Sequence, residues 1–589
     1  MLTIHRLLAV AILIGCSLNA IQAQAKKIDR AAEKAEAAKK AAQAALAKKH
    51  EEEKQAAEAK KANDVKLAAV AKEQKELTGK FKEVSSIAAG KQDVAALAKQ
   101  IDSRIQEKLA EKKITSSELC SDEEFLRRVS LDIAGVVPTI ERTKAFLENK
   151  ETDKRTNLID ELLATESYGR KQADIWLAKL YPKDSSVRFV QPAPFHDWLQ
   201  GEFNKNTSWD KTVSTIITGT GSVDEHPEVT YFLANRTIDK LTDTTTQHFL
   251  GVRLSCAQCH NHPFTTTKQT EYWAMATFFS KVVADKAGNA NKGAENAQLS
   301  VKEGDKPNNK KDFFPDSAKK VSAKFYNGAE PVLDGKEPYR PELAKWMTSK
   351  NNPLFAKAMA NRTWSQFFGQ GIVDPVDDLI VKNKPTHPEL LDELAKHFAE
   401  TGFDIKYLIR GICNSRTYQR SSKPTEGNRE DVEFFSHQTV RQLSAEQLFD
   451  SMSLVLNVVK PEGKGDRKSD GKPVQKGVQQ TERDRFATFY MAGAEEPNPT
   501  EYEAGIPQAL RIMNSKNGPI LQIARGHVAS KSPADAVIEK MYLTALSRKP
   551  TSAELKRLQD YAKQSTTQLD AYSDILWALL NSSEFTMIR

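Results

Sequence analysis

The chain is long enough for several domains at 589 residues, and it is polar: 39% of its residues are hydrophobic and 28% charged. A formal net charge of +8 is modest for this length, and no basic cluster is interleaved with aromatics, so nucleic-acid binding is not expected. Five cysteines, at positions 16, 120, 256, 259 and 413, are too few for a disulfide scaffold.

The N-terminus reads as an export signal over residues 1–25. A weakly basic start, Met1 to Arg6, precedes an apolar run, Leu7 to Ile14, that is too short to span a bilayer. Ala23-Gln24-Ala25 fits small-x-small cleavage ahead of Lys26-Lys27. Leu13-Ile14-Gly15-Cys16 offers a rival reading as a lipoprotein box, with Cys16 lipidated. Either way the expected location is exported, in the periplasm or at the cell surface. No transmembrane helix is expected after signal removal.

Residues 26–97 are expected to form an Ala/Lys/Glu-rich helical stalk or low-complexity segment. No proline precedes Pro138, and Ala, Lys, Glu and Gln all favour helix. Glu36 with Lys39 and Lys40, and Glu58 with Lys61, fall at helical spacing. Large apolar residues are sparse and no heptad seam of Leu or Ile runs through the segment. It reads as a solvated single helix, with a partner-binding coiled coil as the alternative.

From residue 98 the composition turns globular, and a first helical domain is expected over 98–283. Ile101 to Leu109 is amphipathic. Ser121-Asp122-Glu123-Glu124 is a capping box ahead of Phe125, Val129, Leu131 and Ile133, and Thr139 caps the next helix. Trp176, Leu177, Leu180 and Tyr181 make an apolar stripe, read as core. Gln247 to Leu254 leads into Cys256-Ala257-Gln258-Cys259-His260, and Tyr272 to Phe279 reads as the helix beyond it. Residues 284–339 read as a polar linker with a small strand region around 321–332. A second helical domain is expected over 340–589, with a mobile insertion near 459–483. Thr386-His387-Pro388-Glu389, Ser444-Ala445-Glu446-Gln447, Ser532-Pro533-Ala534-Asp535 and Thr551-Ser552-Ala553-Glu554 mark helix starts. Alternating strand patterns are few, so the fold class is mainly α.

The chemistry concentrates in Cys256-Ala257-Gln258-Cys259-His260. C-x-x-C-H is the attachment spacing of c-type haem: two thiols bond to the porphyrin's vinyl groups and the adjacent histidine ligates the iron. Three readings stay open. Cys256, Cys259 and His260 hold haem c; or Cys256 and Cys259 close a structural disulfide; or a small metal site uses these residues with His262 and a distant further ligand. Met275, His248, His226 and His196 are candidates for a sixth haem ligand. Asp374, Asp377 and Asp378 lack the ladder of an EF-hand and are read as loop caps, with Arg362 and Arg416 as ion-pair partners or, alternatively, as binders of an anionic substrate. No Walker loop, G-x-S-x-G or H-E-x-x-H is present, and no catalytic residue is assigned.

The chain resembles exported planctomycete-type bacterial proteins that pair the domains of unknown function fifteen-forty-nine and fifteen-fifty-three. The first is echoed by Phe125-Leu126-Arg127-Arg128-Val129-Ser130-Leu131-Asp132, Gly135-Val136-Val137-Pro138, Ser167-Tyr168-Gly169-Arg170 and Cys256 through Phe264. The second is echoed by Asn352-Pro353-Leu354-Phe355, Asn361-Arg362-Thr363-Trp364, Val373 through Asp378, Ser415-Arg416-Thr417-Tyr418-Gln419 and Arg441 through Gln447. The resemblance implies a name association with cytochromes, through the Cys motif, and no settled activity. Many relatives carry a separate cytochrome-like domain where this chain has its Ala/Lys-rich segment. Two functions follow as expectations: haem-based electron transfer or redox sensing with a redox partner, or a non-enzymatic envelope binding or scaffold role, polysaccharide-related among others.

Overall fold

A computed structural model describes residues 93–589, except 183–189, 263–264, 266, 288–297, 305–313, 327–329, 332, 334–336, 380–382, 458–481 and 491–517. The expected signal, the Cys16 anchor, residues 26–92 of the expected stalk and most of the 459–483 insertion therefore lie outside the described residues.

The described chain is mainly α. Its first half carries α1 (Val94–Lys112), α2 (Asp122–Ala134), α3 (Ile140–Glu148), α4 (Lys154–Leu163), α5 (Glu166–Leu180), α6 (Ala193–Asn204), α7 (Trp209–Thr218), α8 (Thr230–Ala234), α9 (Ile238–Leu250) and α10 (Gln269–Ala276). The second half carries α11 (Arg340–Met347), α12 (Pro353–Phe368), α13 (Pro388–Glu400), α14 (Ile405–Asn414), α15 (Ala445–Val455), α16 (Glu482–Tyr490), α17 (Pro519–Ala529), α18 (Ala534–Leu546), α19 (Ser552–Gln564), α20 (Gln568–Leu580) and α21 (Ser583–Thr586).

Local sequence explains most of the helix starts. Thr139 Oγ1 accepts from the Arg142 amide at the head of α3. Ser444 with Gln447, and Thr551 with Glu554, form complete capping boxes on α15 and α19. At α2 only half of the expected box forms. Ser121 Oγ accepts from the Glu124 amide, but the Glu124 carboxylate is drawn to Arg128 and the Ser422 amide. The capping box expected at Thr386 does not form, and the helix expected to start at Ser532 does start there, at Ala534. Helix α13 is capped at His387, with Pro388 opening it, and the Thr386 hydroxyl donates instead to the Ile372 carbonyl. Helix α18 starts after Pro533, which has no side chain to cap it.

The strands also fall elsewhere than expected. β1 (Gly221–Ser222), β2 (Val282–Ala287) and β3 (Gln298–Glu303) form an antiparallel sheet in the order β1-β3-β2. The described residues of 321–332 carry no strand. Two further short strands, β4 (Arg441–Gln442) and β5 (Met587–Ile588), pair antiparallel.

Residues Ala89–Arg589 form one compact unit. One hydrophobic core runs from Leu97 to Phe435, so α2 and α5 share it with α12 and α14. Its centre is aromatic: Trp176 lies 4.2 Å from Trp209 and 6.1 Å from Phe249, ring centre to ring centre. Burying such rings stabilises by roughly 2–3 kcal/mol each. A second core joins α15, α17, α18 and α20 to Leu131 of α2 and to Val137. Helix α2 is therefore buried on both sides, and even its Arg127, Arg128 and Asp132 are inside. No described helix is long and apolar enough to cross a membrane.

Candidate functional site: an exposed Cys-His turn and a charged cleft

The C-x-x-C-H segment lies between α9 and α10. Gly251 ends α9 in the left-handed region at φ 65°, and the chain reverses there. A single 3-10 turn, Ser255–Ala257, then carries the first cysteine. Only Ala257 is buried; Cys256, Cys259 and His260 face solvent, and both thiols are unbonded. Helix α10 holds the turn from behind. Gln269 Nε2 donates to the carbonyls of Gln258 and Cys259, at 3.1 and 2.9 Å, and Trp273 Nε1 donates to Gln258 O at 3.0 Å.

His260 Nδ1 lies 2.7 Å from the Asn261 carbonyl oxygen. A carbonyl can only accept, so Nδ1 donates in this contact and Nε2 is the nitrogen left to face a metal. That arrangement orients a histidine as a metal ligand. His262 is placed differently: it is buried, and its amide donates to Thr267 O at 2.9 Å. Among the described residues, no group of three or more His, Cys, Asp or Glu side chains comes together to hold a metal ion. Two exposed thiols and an oriented imidazole on one short turn are the kinds of donor that covalent haem attachment uses.

The candidate sixth ligands are spread through the molecule. Met275 is fully buried in the core. His226 lies 3.2 Å from Glu228, His248 lies 3.2 Å from Asp377, and His196 lies 3.0 Å from Asp174. The expected ion pair of Arg362 forms with Asp377, and the Arg362 guanidinium also stacks 4.6 Å from the Trp176 ring. Arg416 does not join it; its side chain is exposed and its amide donates to Asp102. Asp378 caps its own loop through Asn383. Burial drives His248 down to about 4, against the pull of Asp377, so this imidazole is neutral at pH 7.

Sequence reasoning passed over a second site. A small cleft, with a cavity volume of about 40 Å³, lies where α2, α5, α12, α15 and α16 meet. Asp132 from α2 sits at its base, 1% exposed. Arg441 Nη2 donates to both its oxygens at 2.9 Å, and the Tyr418 hydroxyl donates at 2.8 Å. Lys171 from α5 donates to the Asp132 carbonyl. Gly135 ends α2 at φ 74°, and a Cβ there would approach the Lys171 stem at 3.3 Å. Across the cleft Arg483 bridges two carboxylates. Its Nη1 and Nη2 reach Asp174 at 3.1 and 2.6 Å, and its Nε and Nη2 reach Asp450 at 3.0 Å. Arg483 lies at the edge of the expected mobile insertion, yet it opens α16 and is bonded at both ends of its guanidinium.

The electrostatics of the cleft are strongly perturbed. Burial lowers Lys171 to about 8. Burial would raise Asp174, but the charge of Arg483 and the bond from His196 win and hold it below the usual carboxylate range. Burial also opposes the charge on His196, yet its bond to Asp174 raises it to about 9. Glu446 is raised by burial and by the nearby Asp174 charge. Gln366 Nε2 and Arg441 Nε are buried donors without a partner. An unmet buried donor costs roughly 1–3 kcal/mol. The sequence signal was present but scattered: Phe125 to Asp132, Gly135, Ser167 to Arg170 and Arg441 to Gln447, all segments carrying the family resemblance, contribute lining residues here.

No curated protein and no solved structure matches the chain. Two family models do. PSCyt2, a protein of unknown function (DUF1549), matches residues 100–284, which include the cysteine turn and the α2 and α5 walls of the cleft. PSD1, a protein of unknown function (DUF1553), matches residues 339–562, which supply Gln366, Arg441, Glu446 and Arg483. The chain belongs to the planctomycete-type proteins that pair these two domains.

Proposed function

We propose that the chain is an exported cell-envelope protein that carries haem c on the Cys256–His260 turn and serves electron transfer or redox sensing. The observation that supports this is the pairing of two exposed, unbonded thiols with an imidazole whose Nδ1–H is held by Asn261, leaving Nε2 open. Cys256 and Cys259 would hold the porphyrin through thioethers, and His260 Nε2 would ligate the iron. Bound there, haem would supply one-electron redox chemistry. The chain's own residues do the positioning. Gln269 and Trp273 pin the carbonyls on either side of Cys259, and Asn261 sets the histidine tautomer. The exposure of Cys256, Cys259 and His260 would suit transfer to a redox partner.

A second reading is supported by the same hydrogen bonds. Gln269 and Trp273 tie the turn down through its backbone carbonyls, which also suits a scaffold protein whose Cys256 and Cys259 form a structural disulfide.

A visible spectrum of protein matured in a haem-attaching host separates the two. The haem reading expects a Soret band that survives acid-acetone extraction and disappears in Cys256→Ala with Cys259→Ala. Colourless protein, with a reductant-sensitive loss of two hydrogens in mass, would overturn it in favour of the disulfide. Mass analysis of the exported N-terminus tests the location: a start near residue 24 is expected, and a lipid-modified Cys16 would place the protein on a membrane anchor instead.

A further inference from the structure

We propose that the cleft between α2, α5, α12 and α15 is a binding site for a small oxyanion, a carboxylate or sulfate group. This is independent of the haem reading. Its lining brings four cationic side chains, Arg170, Lys171, Arg441 and Arg483, into one concave site. The aspartates there are already engaged. Asp132 is held by Arg441 and Tyr418, and Arg483 spans Asp174 and Asp450. The remaining carboxyl, Glu446, is pushed toward its neutral form by burial and by Asp174. The lining thus sets these four cations against four carboxylates, with Arg170 also 3.7 Å from Asp450, and it presents guanidinium and ammonium groups to an anion.

The unmet hydrogen-bonding capacity leans the same way. Among the lining side chains the buried atoms without a partner are both donors, Gln366 Nε2 and Arg441 Nε. Gln366 is 4% exposed, so bulk water does not satisfy it. Donors in a partly closed cavity lined by guanidinium and ammonium groups favour an acceptor-rich anion, and a guanidinium beside an amide matches the planar or tetrahedral oxygens of such a group.

Calorimetric titration of the full chain with sodium acetate and with sodium sulfate, each against sodium chloride at matched ionic strength, tests this. Saturable binding of at least one oxyanion is expected, at a Kd of about 1–10 mM. Lys171→Met should weaken it roughly tenfold and Gln366→Leu roughly fivefold, while the exposed Lys549→Ala should leave it unchanged. Acetate preference would point to a carboxylate ligand and sulfate preference to a sulfate ester or inorganic anion. No saturable heat beyond chloride would overturn the proposal and leave a water-filled ionic network. Binding unchanged in both cleft variants would overturn it as well. Should either variant misfold, hydrogen exchange on the unmodified protein decides: the anion should slow exchange in 166–180 and 441–455, and protection confined elsewhere would refute the site.

Discussion

The cysteine turn and the charged cleft use polar groups in opposite ways. In the turn the reactive atoms point outward, and the hydrogen bonds behind them go to backbone carbonyls. In the cleft the charged atoms face one another, and the ion pairs join side chains far apart in sequence, such as Arg441 with Asp132 or Arg483 with Asp174. A site built on local backbone tolerates loss of its functional side chains. A site built from facing charges does not, because removing one partner strands the other in a low-dielectric interior.

That contrast can be broken most forcefully at Asp132. Asp132→Ala removes the carboxylate that neutralises Arg441 and accepts from Tyr418, and should destabilise the protein by about 3–5 kcal/mol in urea unfolding. A loss below about 1 kcal/mol would show that the cleft's ion pairs contribute little to holding α2 against β4.

Two histidines sharpen it through pH, with opposite signs. His196, beside the cleft, is raised to about 9 by its bond to Asp174 against burial. Its stabilising effect is complete below the unfolded value near 6.5 and fades as pH climbs from 6.5 to 9. The stability advantage of the native protein over His196→Gln should shrink across that window. His248, in the core, is lowered to about 4 by burial. Below 6.5 the unfolded chain binds the extra proton, so the native protein should lose stability relative to His248→Gln as pH falls from 6.5 to 4. Parallel slopes for the two variants would contradict the assignment.

At the turn the effects should be smaller. Gln269→Ala deletes both bonds to the carbonyls of Gln258 and Cys259, which should cost about 0.5–1.5 kcal/mol and speed the labelling of Cys259 by a thiol reagent. Smallest of all, Cys256→Ser with Cys259→Ser should shift the stability of the reduced, ligand-free protein by less than about 0.5 kcal/mol, since both side chains are exposed. A larger loss would mean that the thiols are part of the packing.

Where a feature depends on neighbours in sequence, it was legible before the structure. The mainly α class followed from helix-period patterning. The caps at Thr139, Ser444 and Thr551 follow from a hydroxyl three residues ahead of an amide it can reach. The close spacing of Cys256, Cys259 and His260 is a matter of five consecutive residues, while their exposure is not. The expected capping box at Thr386 failed because the loop 372–387 offered the hydroxyl a carbonyl that no local rule anticipates.

Tertiary structure alone decided the rest. It drew α2 into two cores at once, so that Arg128 and Asp132, polar in sequence, are interior. It set the strands at 282–287 and 298–303, where pairing partners across a reversal, not residue preference, select them. It also assembled the cleft from positions 132, 171, 366, 441 and 483. Each of those residues taken singly is an ordinary charged or amide side chain on a helix or strand. Their shifted proton affinities and unmet donors arise from mutual approach and exclusion of water, which depend on distances in space and have no counterpart in sequence spacing.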